Sequence, residues 1–262
     1  MIESYAEATL LSAGDDGSFR AEVPDGWQQG KGAFGGLGVG LGVRALEAVE
    51  VERPIRALTA ELPGPLLPGA AEVTVRTLRR GRGMSTLEAH VTQVGEVRVR
   101  VSGVMGGARV DDPPFAPEPP SVGDWQAAAT LPESALPPPF ARFFEYRPTG
   151  PLPFGGGPEP VVSGWIRPRV ALERWGVAEV VAMADAYWPA VFSTFTGFRP
   201  MATVTFTLQL TERALALEPG APVFYRARAL AGSAGYVSEL RELWTVDGTL
   251  VALNPQTFVI IG

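Results

Sequence analysis

The chain repeats itself, and the repeat limits the folds open to it. Pro68-Gly69 precedes Glu72-Val73-Thr74-Val75-Arg76 and Gly83-Met84-Ser85, followed by alternating Leu87, Ala89 and Val91, a turn at Gly95, and Val97, Val99 and Val101. Roughly 150 residues further on, Pro219-Gly220 precedes Val223-Phe224-Tyr225-Arg226 and Gly235-Tyr236-Val237-Ser238. Leu240 and Leu243, the turn Asp247-Gly248, and Leu250-Val251-Ala252 follow. Period-two alternation bounded by glycine turns predicts antiparallel, half-buried strands, and Asp-Gly between two such runs predicts a hairpin. Upstream of each set lies one apolar stretch of helical length, Gly36–Val49 in the first half and about Val177–Phe195 in the second, each preceded by a further strand (Phe19–Val23; Ser163–Arg169). Each half therefore reads as a helix with three or four antiparallel strands. A helix apolar nearly all round is a buried one, and a sheet curled around it would bury it.

Proline marks the join. Of the 25 prolines, 14 lie between Pro113 and Pro160, in runs such as DDPPFAPEPP (111–120) and LPPPF (136–140) that can continue neither a helix nor a central strand. The expected division is a first half at 1–110, an extended connection at 111–142 that packs on the surface through Trp125 and the helix-compatible Asp124–Thr130, and a second half at 143–262.

Composition removes several classes of function. Lys and Arg number 22 against 28 Asp and Glu, a formal charge of −6. The tightest basic cluster, Arg79, Arg80 and Arg82, is short, so a nucleic-acid partner is not expected. With no cysteine and one histidine, His90, there is no expected metal site and no expected cofactor, and thiol nucleophiles are excluded. His90 alternates with Leu87, Ala89 and Val91 and reads as a surface residue on a solvated face. No apolar window of about 20 residues is present, so no membrane span is expected. The opening, Met1 to Glu7, lacks a basic-then-apolar leader, and the expected location is the cytoplasm.

Four features carry chemistry. Gly30-Lys31-Gly32-Ala33-Phe34-Gly35 matches the dinucleotide pattern G-x-G-x-x-G, but Pro24–Gln29 before it is a turn and not the apolar strand that pattern requires. Gly36, Gly38, Gly40 and Gly42 lie inside the first predicted helix and cost it about 1 kcal/mol each relative to alanine. Either a strand approaches that bare face, or the helix start offers its free N–H groups to a ligand oxygen. Asp185 is the one charged residue of the run Val180–Phe192, and Pro189 four residues later should kink the helix there. A lone acid in an apolar segment is costly unless hydrogen-bonded, which makes it a candidate for function or else a solvated residue. Thr203 and Gln256 are ordinary strand positions on their own; their strands, Ala202–Leu210 and Asn254–Ile261, would neighbour the second helix in a curled sheet.

Taken together, these elements resemble the double-hotdog acyl-CoA thioesterases of the acyl-CoA thioesterase II-like group. Phe34-Gly35-Gly36 with Val39 and Arg44-Ala45-Leu46 resembles the family's first hotdog helix. Ala184-Asp185 ahead of Pro189 resembles its Asp-bearing second helix, and Ala202-Thr203-Val204 and Val251-Ala252 with Gln256 resemble its Thr and Gln strands. Thr205 and Thr257-Phe258 depart from the family pattern, which often has an acid at the first position and an acidic or small residue after the glutamine.

The resemblance implies an α+β double hotdog, two tandem helix-wrapped antiparallel sheets joined into one continuous curved sheet. It further implies an acyl-CoA substrate and a water activated by Asp185, Thr203 and Gln256. Phe34, Gly35 and Gly36 would form the oxyanion end, and Trp188 and Phe192 would lie along the acyl chain. Because the first helix carries no acid in its opening turns, one site per chain is expected, between the halves. Open sheet edges predict a homo-oligomer. The competing expectation is a double hotdog that binds acyl thioesters or other apolar ligands without turning them over.

Overall fold

Successive side chains of a strand point to opposite faces, so the apolar members of each alternating run can turn inward together. The structure, a computed structural model, describes residues 4–14, 16–110, 115–135, 138–172 and 174–261. In chain order the first half holds α1 (Tyr5–Ala8), β1 (Ser12–Ala13), β2 (Phe19–Val23), β3 (Gln28–Gln29), β4 (Gly32–Ala33), α2 (Gly35–Val49), β5 (Ile55–Glu61), β6 (Gly69–Arg80), β7 (Met84–Gln93) and β8 (Glu96–Gly106). The second holds β9 (Phe144–Pro148), β10 (Val161–Pro168), α3 (Val177–Asp185), β11 (Met201–Leu210), β12 (Val223–Ser233), β13 (Tyr236–Trp244) and β14 (Leu250–Ile260).

Twelve strands form one sheet in the order β1-β2-β6-β7-β8-β5-β11-β14-β13-β12-β10-β9. From β2 to β10 the second half runs the order of the first in reverse, so the two halves are related by an approximate two-fold axis between β5 and β11. At that seam Leu58 pairs with Leu208 and Thr59 with Thr207, antiparallel, without interruption of the sheet. This is the expected double hotdog. The two edges are short, β1 of two residues and β9 of five, which leaves little unpaired ladder exposed.

Both central helices are buried against the inner face. In α2 the glycines leave room for the sheet: a Cβ on Gly38 would lie 2.8 Å from Val99 Cγ2, and one on Gly42 2.5 Å from Val101 Cγ2. The packing account of these two glycines therefore holds. Helices α2 and α3 pack antiparallel, with Gly36 opposite Asp185 and Arg44 opposite Glu179. Arg44 pairs with the buried Glu179 carboxylate, which also accepts from the Gly176 N–H at 3.0 Å. One hydrophobic core runs through both halves, from Val23, Leu41 and Val91 to Val181, Phe206 and Val251.

Some elements differ from expectation. The second helix ends at Asp185, and the chain reforms only as a 3₁₀ turn at Ala190–Ser193. Pro189 lacks the N–H a continuing helix needs and disfavours helical geometry at Trp188, so it stops the helix where a kink was expected. Asp124–Thr130 contains a turn at 125–127 and no helix. The last strand begins at Leu250, four residues earlier than expected. The polar face of β7 is not simply solvated: Glu88 is buried under Arg100, Arg76 and His90, whose Nε2 lies 3.1 Å from it. Residues 111–114 and 136–137 of the proline-rich segment, and Met1–Glu3 of the acidic opening, lie outside the described residues.

What is described of the connection packs on both halves. Val122, Trp125 and Ala128 lie against the outer-face cluster Trp165, Phe224, Trp244 and Leu250. At the other end, Pro139–Phe143 is a 3₁₀ turn whose Phe140 stacks on Phe34 and whose Phe143 stacks on Trp27.

Candidate active site

Antiparallel packing of α2 and α3 brings the start of one helix to the end of the other. The first N–H groups of α2 have no partner within their own helix and carry its positive dipole end. Asp185, the last residue of α3, meets them: its Oδ2 accepts from the Gly36 N–H at 2.7 Å. Its Oδ1 accepts from Gln256 Nε2 at 3.1 Å and from Arg241 Nη1 at 3.4 Å. The side chain is 5% exposed, so the solvated reading of Asp185 is excluded. Every partner is a donor, which suits the ionised carboxylate. Burial nonetheless pushes its pKa above the ordinary carboxylate value, against the pull of Arg241, Gln256 and Gly36.

The bare face of Gly35 is the other wall. A Cβ there would sit 2.8 Å from Asp185 Oδ2 and 3.3 Å from Leu62 Cδ2, so only glycine leaves the carboxylate in place. The Gly36 N–H is committed to Asp185 and is not free for a ligand oxygen. The Gly35 N–H, one position earlier, has no partner among the described residues. Phe34 departs from its expected place beside the substrate: it is fully buried, stacked on Phe140 at 4.3 Å and packed over Gly36, where it supports the start of α2.

Gln256 on β14 is held in one orientation. Its Nε2 donates both to Asp185 and, at 2.7 Å, to Asn254 Oδ1, while Asn254 Nδ2 donates to the Thr207 carbonyl at 2.6 Å. That fixes Oε1 as an acceptor, buried and without a hydrogen-bond partner among the described residues.

Thr203 is less closely joined. It pairs with Phe258, two residues from Gln256, and cross-strand partners share a face, so a bulge between Thr203 and Thr205 keeps Thr203 on the inner side. It makes no hydrogen bond to Asp185 or Gln256 among the described residues. Trp188 packs against Tyr187 and Tyr146, with its indole Nε1 buried and without a hydrogen-bond partner among the described residues. Phe192 joins Phe154, Phe195 and Phe198 in an aromatic cluster beyond Pro189.

Two residues in contact with the site escaped the sequence reading. Arg241, 1% exposed, donates from Nε to Glu239 Oε1 at 2.8 Å and from Nη1 to the Ala184 carbonyl at 2.9 Å. Glu239 in turn accepts from the Ala190 N–H at 2.6 Å. The signal was available: Val237, Glu239, Arg241 and Leu243 share the phase of the inner face of β13, which puts two opposite charges in an apolar stripe.

The site is an acid poised at a helix start, an acceptor beside it and, nearby, a backbone donor without a partner among the described residues. Among the described residues no group of three or more acids and histidines could hold a metal ion, and no helix is long and apolar enough to cross a membrane.

Comparison with known proteins gives the chain two matches to family descriptions, the acyl-CoA thioesterase N-terminal domain over residues 23–106 and the acyl-CoA thioesterase C-terminal domain over residues 110–260. Similar solved structures include a conserved hot dog protein of unknown function from Alicyclobacillus acidocaldarius, with TM-score 0.91, 22% identity, and coverage of 100% of this chain and 99% of that one. A thioesterase II described as putative, from Thermobifida fusca, follows with TM-score 0.85, 20% identity and coverage of 100% and 98%. An acyl-CoA thioesterase II from Mycobacterium marinum gives 0.77, 16% identity and 98% of each chain. No curated protein matches the chain.

Proposed function

The chain belongs to the acyl-CoA thioesterase family and is a thioester hydrolase, and from this premise we propose that it cleaves acyl-CoA by a water that Asp185 activates. The observation that carries the reading is the buried Asp185 carboxylate, held by the Gly36 N–H at the start of α2, beside a Gln256 Oε1 that has no donor among the described residues.

The water donates one hydrogen to Gln256 Oε1 and the other to Asp185. Its oxygen attacks the thioester carbonyl carbon while Asp185 takes the proton. Negative charge develops on the carbonyl oxygen, where the Gly35 N–H and the dipole of α2 stabilise it, a contribution of a few kcal/mol in comparable sites. The C–S bond then breaks, the thiolate leaves as CoA, and the proton held by Asp185 returns to the leaving sulfur. The products are the free acid and CoA, and Asp185 is again a carboxylate.

A raised pKa suits this role, because a stronger base takes the proton more readily. Trp188 and Phe192 supply apolar surface beyond the carboxylate for the acyl chain. Thr203 contributes from the same face of the sheet, as a second contact to the water or the substrate.

Free-thiol release from a panel of acyl-CoAs, short to long, with wild type and Asp185→Asn side by side, tests the reading. Turnover should fall at least about 100-fold in the variant on every substrate the wild type uses. Turnover that survives in Asp185→Asn would assign the base elsewhere.

A further inference from the structure

We propose that Arg241, with Glu239 as its second carboxylate partner, is a positioning residue for thioester hydrolysis: the buried chain Glu239–Arg241–Asp185 fixes the Asp185 carboxylate and sets how readily it takes a proton. The proposal rests on Asp185 acting as the base.

The geometry is that of a brace. Residues 239 and 241 point to the same inner face of β13. Through Arg241 they hold the Ala184 carbonyl and the Asp185 carboxylate at the end of α3, and through Glu239 they hold the Ala190 N–H beyond Pro189. Both ends of the segment that carries the acid are thus tied to one strand. The guanidinium is itself confined, with the Phe258 and Tyr225 rings centred 5.1 and 5.8 Å from it.

Charge supplies the second half of the argument. Two carboxylates and one guanidinium share a site buried from bulk solvent. Glu239 is the closer partner at 2.8 Å, and Asp185 the looser one at 3.4 Å. Without Arg241, two buried carboxylates would repel each other and Asp185 would be held protonated, useless as a base. Without Glu239, Arg241 would neutralise Asp185 alone and make it a weaker base. The pair holds it between these extremes. The other groups facing Asp185 are Tyr5 on α1, Tyr146 on β9, Tyr225 on β12, Gln256 and Asn254 on β14, and the Gly36 N–H; the first three are neutral phenols, their pKa values raised by burial. Arg241 and Glu239 are therefore the charges whose removal should move the acid.

The test is the pH dependence of kcat/KM on the best acyl-CoA for wild type, Arg241→Met, Arg241→Lys, Glu239→Gln and Asp185→Asn. Arg241→Met should move the acidic limb up by about one pH unit or more and lower kcat about tenfold or more at neutral pH, with KM within about threefold. Arg241→Lys should recover part of both, and Glu239→Gln should move the limb the opposite way, to lower pH. A purely structural role for Arg241 predicts losses of stability with every limb in its wild-type place. Unmoved limbs in folded Arg241→Lys and Glu239→Gln, with Asp185→Asn inactive, would overturn the proposal and leave Asp185 as the base. An active Asp185→Asn would overturn the base assignment itself, and this inference with it. Should Arg241→Met fail to fold, the opposite displacements of the lysine and glutamine variants decide the matter.

Discussion

Asp185 is a carboxylate almost wholly withdrawn from bulk solvent with only donors for hydrogen-bond partners, and both properties have measurable consequences. Because burial raises its pKa, the acidic limb of kcat/KM should lie above the ordinary carboxylate range, activity falling as pH drops through the folded value. The same shift acts on stability with a definite sign. Between the unfolded carboxylate pKa, about 4, and the higher folded value, the native state binds more protons than the unfolded state, so stability contributed by this group falls as pH rises. Denaturant midpoints of wild type and Asp185→Asn, compared across that window, should therefore move in favour of the variant with increasing pH; a constant difference would show an unshifted acid. Gly35→Ala places a methyl 2.8 Å from Asp185 Oδ2 and should cost about tenfold or more in kcat by displacing the carboxylate, with circular dichroism checking that the helix is intact. At this scale much could be read in advance. Asp185 stood out as a lone charge in an apolar run, and Gln256 and the Gly35-Gly36 pair were placed by resemblance. Arg241 and Glu239 were not found, because charges in an alternating strand usually face water and only the phase set by Val237 and Leu243 says otherwise. The division of labour between Gly35 and Gly36 was equally hidden: it depends on which N–H the acid occupies, a matter of less than one helical turn.

Helix α2 spends its glycines on contact with the sheet. Gly38 and Gly42 lie one turn apart, against Val99 and Val101 of β8, the two inward valines of one strand. Alanine at 42 would gain about 1 kcal/mol in helix propensity. Its methyl, however, would meet Val101 Cγ2 at 2.5 Å, and overpacking of this kind costs about 1–3 kcal/mol. Gly42→Ala should therefore lower stability, and adding Val101→Ala should cost less than that substitution does in the wild type, because the new methyl fills part of the space the valine leaves. A double-mutant cycle in denaturant measures this, and simple additivity would deny the contact. The existence and type of both central elements were legible, since apolar helices without a polar face have nowhere to go but inside. The end of α3 was not. Helical periodicity continues through Tyr187 and Phe192, and the decision to stop falls to Pro189 and to the donors that Glu239 and Arg241 receive from or give to the turn, partners more than 45 residues away in the chain.

Across the whole molecule, the internal repeat of the sequence becomes an approximate two-fold axis, and the candidate site breaks it. The Gly35-Gly36 start comes from the first half and Asp185, Gln256 and Arg241 from the second, so neither half holds the site alone. The division at 1–110, 111–142 and 143–262 is a proposal about units of sequence, and the packing argues that they are not units of unfolding. Among the connections that join them are the β5–β11 seam in the middle of one sheet, the buried α2–α3 contact with its Arg44–Glu179 pair, and the stacking of Phe140 and Phe143 on Phe34 and Trp27. Separating the halves would expose the inward side of the seam strands, including Leu58, Ala60, Phe206 and Leu208, along with a helix face that is apolar or glycine. It would also strand Glu179 without Arg44 and take the Gly36 N–H from Asp185, and removing one partner of a buried pair commonly costs about 3–5 kcal/mol. Partial opening along this line is therefore expensive compared with the total stability of a domain, about 5–15 kcal/mol. Native-state hydrogen exchange tests the consequence: the slowest amides of β7 in the first half and β13 in the second should report one free energy of opening, and should respond equally when Arg44→Ala removes the ion pair that bridges the helices. Two distinct free energies, with Arg44→Ala lowering only one of them, would mean that each half unfolds by itself and that the site is assembled from independently stable parts.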